Sequence, residues 1–92
     1  MIVSFQHKGL KAFYETGNTK GIQAKHAKKL REILTLLDVA SSSQDLQFHW
    51  LKLHRLSGQL EGYYSVWVNG NWRITFRFIS DDVELVNYVD YH

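Results

Sequence analysis

The chain has no cysteine, no apolar run near the roughly 18 residues that a membrane span requires, and no lysine or arginine among residues 78–92. Without thiols there is neither a disulfide framework nor a thiolate metal site, which points to a reducing compartment. The N-terminus lacks the hydrophobic stretch of a signal peptide. These absences give the expectation of a cytoplasmic protein that does not engage a membrane. Also missing are a Gly-rich phosphate loop, a Ser-His-Asp order, a nucleotide-binding fingerprint, internal repeats, low-complexity segments and linkers. The 92 residues therefore read as a single domain, 1–92.

What is present is apolar, aromatic and unevenly charged. Hydrophobic residues make up 45% of the chain and aromatic ones 14%, with three Trp, five Tyr and five Phe. A domain this small buries only about 60–65% of the surface its unfolded chain exposes, so its core must be efficient. The net charge of +2 conceals a gradient. Residues 1–35 hold seven Lys/Arg against two Glu, residues 36–77 are near balance, and residues 78–92 carry four acids. A basic N-terminal half can attract a polyanion, and it can equally be an ordinary solvated helix face.

Periodicity gives the architecture. Ile2-Val3-Ser4-Phe5 reads as a short strand. Leu10, Phe13 and Tyr14 mark a helix over 8–16, with Gly17-Asn18 as its stop. Ala27, Leu30, Ile33, Leu34 and Leu37 line a second helix whose other face holds Lys25, Lys28, Lys29 and Glu32. From Trp50 to His54 the pattern alternates, as in a strand. Tyr64, Val66 and Val68 form one face of the next strand, and Trp72, Ile74, Phe76 and Phe78 one face of the strand after. Asn69-Gly70-Asn71 between them is a hairpin signal. A two-residue loop sets Val66 opposite Arg73 and mixes the faces, so an odd loop using Gly70 at positive φ is preferred, with Val66 opposite Ile74. Ser80-Asp81-Asp82 makes a second turn into a last strand, Val83 to Tyr91, apolar on both faces and thus covered on both sides. The expected fold is α+β: a short N-terminal strand, two helices, and a three- to four-stranded antiparallel sheet with the helices packed on one face. Tyr63, Ser65, Trp67, Arg73, Thr75 and Arg77 would line the other, partly open face, a platform suited to nucleic acid.

The chain closes on an acid, a phenol and an imidazole: Asp90, Tyr91 and His92. With His54 and Arg73 they supply what metal-free RNA cleavage needs. A base must take the 2′-hydroxyl proton, an acid must protonate the departing 5′-oxygen, and a cation must hold the phosphoryl oxygens. Histidine titrates near neutrality, and the arginine fork stays charged and contacts two oxygens. Blander roles are open for each. A lone histidine near a strand end is more often a surface residue than a catalyst, and Arg73 facing Trp67 suits a cation–π or ion-pair contact. His7, His26 and His49 are weaker candidates, and no cluster has good metal-ligand spacing.

Several segments carry a family resemblance. They are Ile2-Val3-Ser4-Phe5 with His7-Lys8-Gly9-Leu10, Leu51-Lys52-Leu53-His54 with Leu56 and Gly58, Gly62-Tyr63-Tyr64-Ser65-Val66, Asn71-Trp72-Arg73-Ile74-Thr75-Phe76, and the terminal Asp90-Tyr91-His92. Together they resemble the HigB toxins of the RelE-like superfamily, in the plasmid-maintenance killer group of type II toxin–antitoxin systems. The resemblance implies a ribosome-dependent mRNA endoribonuclease, working without a cofactor, that cuts the codon exposed in the A site of the small subunit. It also implies a helix-turn-helix, HigA-like antitoxin, through which the toxin meets operator DNA only indirectly. Carried over by position, His54, Arg73, Asp90, Tyr91 and His92 match the catalytic pattern, while Lys52, Arg55, Ser57, Trp67 and Arg77 are the expected RNA contacts. One departure stands out. Relatives read His-Pro-Leu-Lys-Gly where this chain reads His54-Arg55-Leu56-Ser57-Gly58, so a lysine that would neutralise phosphate is a serine. The departure implies weakened activity, an altered codon preference, or a homologue that only binds.

Overall fold

The computed structural model describes residues 1–91. Helix α1 (Lys8–Thr16) begins where the His7 ring accepts the Leu10 N–H on Nδ1 at 3.0 Å, and it ends at Gly17 in the left-handed conformation, φ 79°. Helix α2 (Ala27–Val39) follows a 3₁₀ turn, Ala24–His26. Its buried positions Leu30, Ile33, Leu34 and Leu37 recur at the expected helical spacing. Two further 3₁₀ turns, Ser43–Leu46 and His49–Leu51, lead to β1 (His54–Arg55), and a third, Gly58–Leu60, leads to β2 (Tyr64–Asn69). Strands β3 (Trp72–Ile79) and β4 (Asp82–Asp90) complete an antiparallel meander of order β1-β2-β3-β4.

The α+β architecture is the expected one, and the differences lie in its details. The first segment is no regular strand. It touches β4 through two parallel bridges, Ile2 to Val83 and Phe5 to Val86, with backbone bonds alternating between the chains. Strand β4 thus has β3 on one side and this segment on the other. The alternation from Trp50 to His54 belongs mostly to a turn: Leu51 is buried at the end of the 3₁₀ turn, and Lys52 takes φ 48°. A short apolar alternation satisfies either conformation, and burial of Leu51 decides for the turn.

Two bulges set the faces. The β2–β3 hairpin closes with Asn69 opposite Trp72, and the odd residue is Val68, which brings Trp67 opposite Arg73 and Val66 opposite Ile74. Gly70, at φ 54°, supplies the positive φ. In β4 the register shifts between the Arg77–Glu84 and Thr75–Asn87 pairs, with Leu85 at φ 56°. Val83 and Val86 are three apart and would face opposite ways in a regular strand. The bulge lets both be fully buried.

The core lies between the helices and one sheet face, with Leu10, Leu30, Leu37, Val66, Ile74 and Phe76 fully enclosed. Asp38 of α2 fastens the first segment to the helices, accepting the Ile2 N–H at 3.0 Å and the Tyr14 hydroxyl at 2.9 Å. At one end of the core, the ring of His26 is 2% exposed. Its Nδ1 lies 2.6 Å from the Tyr88 hydroxyl, and the Tyr88 ring stacks on Trp72 at 4.4 Å. Burial holds His26 below, and Tyr88 above, their ordinary pKa values.

Candidate active site

The sheet face turned away from the core carries the candidate residues in rows. His54 is paired with Ser65, Ser65 with Thr75, and Thr75 with Asn87, and paired residues share a face. The next row holds Trp67, Arg73 and Val89. His54 and Arg73 therefore point the same way. Two strand spacings and one two-residue step separate their backbones, roughly 12 Å. The middle of this face is less open than the sequence suggests, because Ser65 and Thr75 are buried, at 3% and 5% exposure. His54 itself is exposed.

The β2–β3 hairpin organises the second row. The carbonyl of Gly70 accepts from Arg73 Nη1 at 2.8 Å and from Trp67 Nε1 at 3.1 Å, and Arg73 Nη1 also donates to the Trp72 carbonyl at 3.0 Å. Both side chains are fixed by one turn. The cations over Trp67 are lysines: Lys52 Nζ lies 4.5 Å and Lys29 Nζ 5.1 Å from its ring centroid. Lys52 gains this position from its left-handed backbone.

The end of β4 is tied to the same hairpin. Asp90 is exposed and paired with Trp72, and the Tyr91 N–H donates to the Asn71 carbonyl at 2.8 Å, leaving the Tyr91 side chain 41% exposed. The structure thus brings Arg73, Asp90 and Tyr91 to one end of the sheet beside the Gly70-Asn71 turn, with Asp90 sharing the face of Trp72, opposite that of Arg73. His92 lies outside the described residues.

The other expected RNA contacts scatter. Arg55 is paired with Tyr64, and strand alternation turns it to the face opposite His54. Ser57 is exposed just before the Gly58–Leu60 turn. Arg77 is at the far end of the face, bonded through Nε to Glu84 at 2.5 Å. Among the described residues no group of three or more His, Cys, Asp or Glu could hold a metal ion. Grooves of about 410 Å³ between α1 and α2, and of about 500 Å³ beside Trp50, include neither His54 nor Arg73.

A family model described as a RelE-like toxin of type II toxin–antitoxin systems, HigB, matches residues 3–92. The chain is a member of the HigB toxin family. It is 46% identical over 92 residues to the endoribonuclease HigB of Proteus vulgaris, covering all of both chains. It is 32% identical over 94 residues to toxin HigB-1 of Vibrio cholerae serotype O1, covering all of this chain and 98% of the other. Among solved structures, YoeB in the YoeB–YefM complex from Staphylococcus aureus superposes with a TM-score of 0.64 at 22% identity, over 100% of this chain and 95% of that one. A YafQ variant from E. coli gives 0.65 at 18% identity, over 98% and 91%. Those two likenesses concern the fold alone. A HigB toxin with a RelE-like fold is what the segments from Ile2-Val3-Ser4-Phe5 to the terminal Asp90-Tyr91-His92 resemble.

The sequence reading missed two members of this neighbourhood. His26 counts among the weaker candidates, yet it precedes Leu30 by four and Ile33 by seven, which is the buried stripe. Lys29 was assigned to the solvated face, and no local pattern reveals that its ammonium reaches a strand residue 38 positions later.

Proposed function

We propose that this HigB-family chain is an endoribonuclease that stops translation in the cytoplasm by cutting mRNA in the ribosomal A site. The observation that carries this reading is the common face and adjoining rows of His54 and Arg73, with the end of β4 tied to the hairpin that holds Arg73. One imidazole draws the proton from the 2′-hydroxyl. The resulting oxygen attacks phosphorus, the bond to the 5′-oxygen breaks, and a second acid delivers a proton to that leaving oxygen. Arg73, fixed by Gly70, stabilises the charge that develops on the phosphoryl oxygens. His54, His92, Asp90 and Tyr91 supply the proton-transfer and orienting groups, with no metal or cofactor in the chemistry. The identity to an endoribonuclease HigB supports the reaction class. The protein is held inactive by a helix-turn-helix antitoxin, in keeping with a toxin–antitoxin family. Ser57, where the family resemblance implies a lysine, leaves less positive charge at the phosphate and supports a second reading: a weakened homologue that binds its antitoxin without cutting.

Mapping mRNA ends on programmed ribosomes separates the two. Wild-type protein is expected to cut at the A-site codon, and His54→Ala to slow cutting by about 10²–10⁴-fold, the usual contribution of a general acid or base. Uncut message with wild-type protein would exclude the nuclease, and cutting that survives the His54→Ala, His92→Ala pair would exclude these histidines as its base and acid.

A further inference from the structure

A cluster of rings and ammonium groups extends from the candidate site, sharing Trp67 and Lys52 with it and adding Lys29 and Trp50. Lys29, on α2, lies 4.6 Å from the Trp50 ring and 5.1 Å from the Trp67 ring, so it bridges two tryptophans from different parts of the chain. Lys52 lies 4.5 Å from Trp67 on its own account. Both ammonium nitrogens sit beside one indole, so they are no more than about 10 Å apart. Among the described residues the ion pairs are Met1–Asp82 and Arg77–Glu84, and neither lysine has a carboxylate partner. Two like charges held this close repel each other, and that cost falls when an anion joins them. Phe48, 45% exposed, continues the line, its ring 6.3 Å from Trp50. On the other side of Trp50 runs the 500 Å³ groove with Lys28, Arg31 and Leu36 in its walls and Glu32 as its one acid.

We propose that Lys29, Lys52, Trp50 and Trp67 form a second RNA-binding site, a ledge that holds single-stranded RNA flanking the nucleotides to be cut. The inference rests on the RNA-cleaving reading of the candidate site. Trp67 is directly opposite Arg73, so a strand whose phosphate meets Arg73 runs onto Trp67 with its next nucleotides. Alternating aromatic faces and cations suit stacked bases and their phosphates. The path then turns around the β2 edge toward α2, which accounts for the concentration of lysine on that helix. An acidic peptide would meet the same ammonium groups, but the half-buried indoles interleaved with them and the exposed Phe48 ring in line favour stacked bases. Lys29 is the piece that joins the ledge together, because its ammonium lies over both tryptophans.

The test compares non-cleavable 2′-O-methyl oligonucleotides of three and nine nucleotides, with binding followed by tryptophan fluorescence. The wild-type protein is expected to bind the longer strand at least tenfold more tightly. Lys29→Ala should remove most of that advantage, leave trimer affinity unchanged, and reduce the dependence of log affinity on log salt by about 0.7, the share of one phosphate contact on a single strand. An undiminished length advantage in Lys29→Ala, or an equal loss for both lengths, would overturn the ledge. So would Lys29-dependent binding of polyglutamate as tight as that of the nonamer, which would assign the surface to an acidic protein. Ribosome cleavage by the same preparations keeps the two ideas apart. Cutting with a Lys29-independent length advantage defeats the ledge alone, and a Lys29-dependent advantage without cutting defeats the nuclease alone.

Discussion

Along β3, Trp72, Ile74, Phe76 and Phe78 turn toward the helices while Arg73, Thr75 and Arg77 turn away, and the two faces use histidine in opposite ways. On the inner side His26 is enclosed, bonded to Tyr88 and edged by Trp72 at 5.7 Å. Its ring is a packing element kept neutral by desolvation, with the positive charge of Lys25 adding to the effect. On the outer side His54 stands exposed on a two-residue strand whose burial contributes little. The same side chain is structural where water is excluded and chemically available where it is not. A period of two in the backbone separates stability from reactivity at neighbouring residues.

Three substitutions sharpen that contrast. The largest effect belongs to Phe76→Ala. Phe76 is fully buried, stacked near Tyr64 at 6.0 Å and edged by Phe78 at 5.7 Å. Denaturant unfolding should show a loss of about 3–5 kcal/mol. Arg73→Ala, on the outer face of the same strand, should move stability far less, and equal losses for the two would erase the distinction between faces. Next comes Tyr88→Phe, which keeps the ring stack on Trp72 but leaves the enclosed His26 nitrogen without its hydroxyl. A loss of about 1–3 kcal/mol is expected in the same measurement. No change would mean that the 2.6 Å contact contributes nothing.

The smallest effect is in the pH dependence. Burial lowers the pKa of both His7 and His26 in the folded protein. The unfolded chain therefore binds protons first as pH falls. The stability these residues protect is complete above their ordinary value, near 6.5, and is lost as pH drops from there toward the lowered folded values. Melting temperature followed by circular dichroism should rise from pH 5.5 to pH 7. His7→Asn, which retains a capping oxygen but cannot titrate, should flatten that rise by about half. A melting temperature constant across this window would show that neither ring is kept neutral by folding.

The regular elements were readable because their periods are local. The α2 stripe, the Asn-Gly hairpin and the odd-residue register of β2 against β3 each follow from neighbouring residues. So did the shared face of Trp67 and Arg73, once the register was set. What escaped the sequence depends on packing over distance. The Trp50–His54 alternation looks extended until Leu51 finds its place in the core and Lys52 turns back. Leu85 gives no signal of a bulge, because the bulge answers a need to bury Val83 and Val86 together. Lys29 meets Trp50 and Trp67 only after α2 has packed beside the sheet.

The parallel bridging of residues 2–5 to β4 bears on synthesis. Residues 2–5 dock on a strand synthesised about 80 positions later, and that strand also delivers Asp90 and Tyr91. A nascent chain stopped before β4 can place neither its opening segment nor its terminal acid and phenol. Long-range pairing of this kind completes folding late. A cell that makes the protein in fragments therefore makes nothing resembling the finished site.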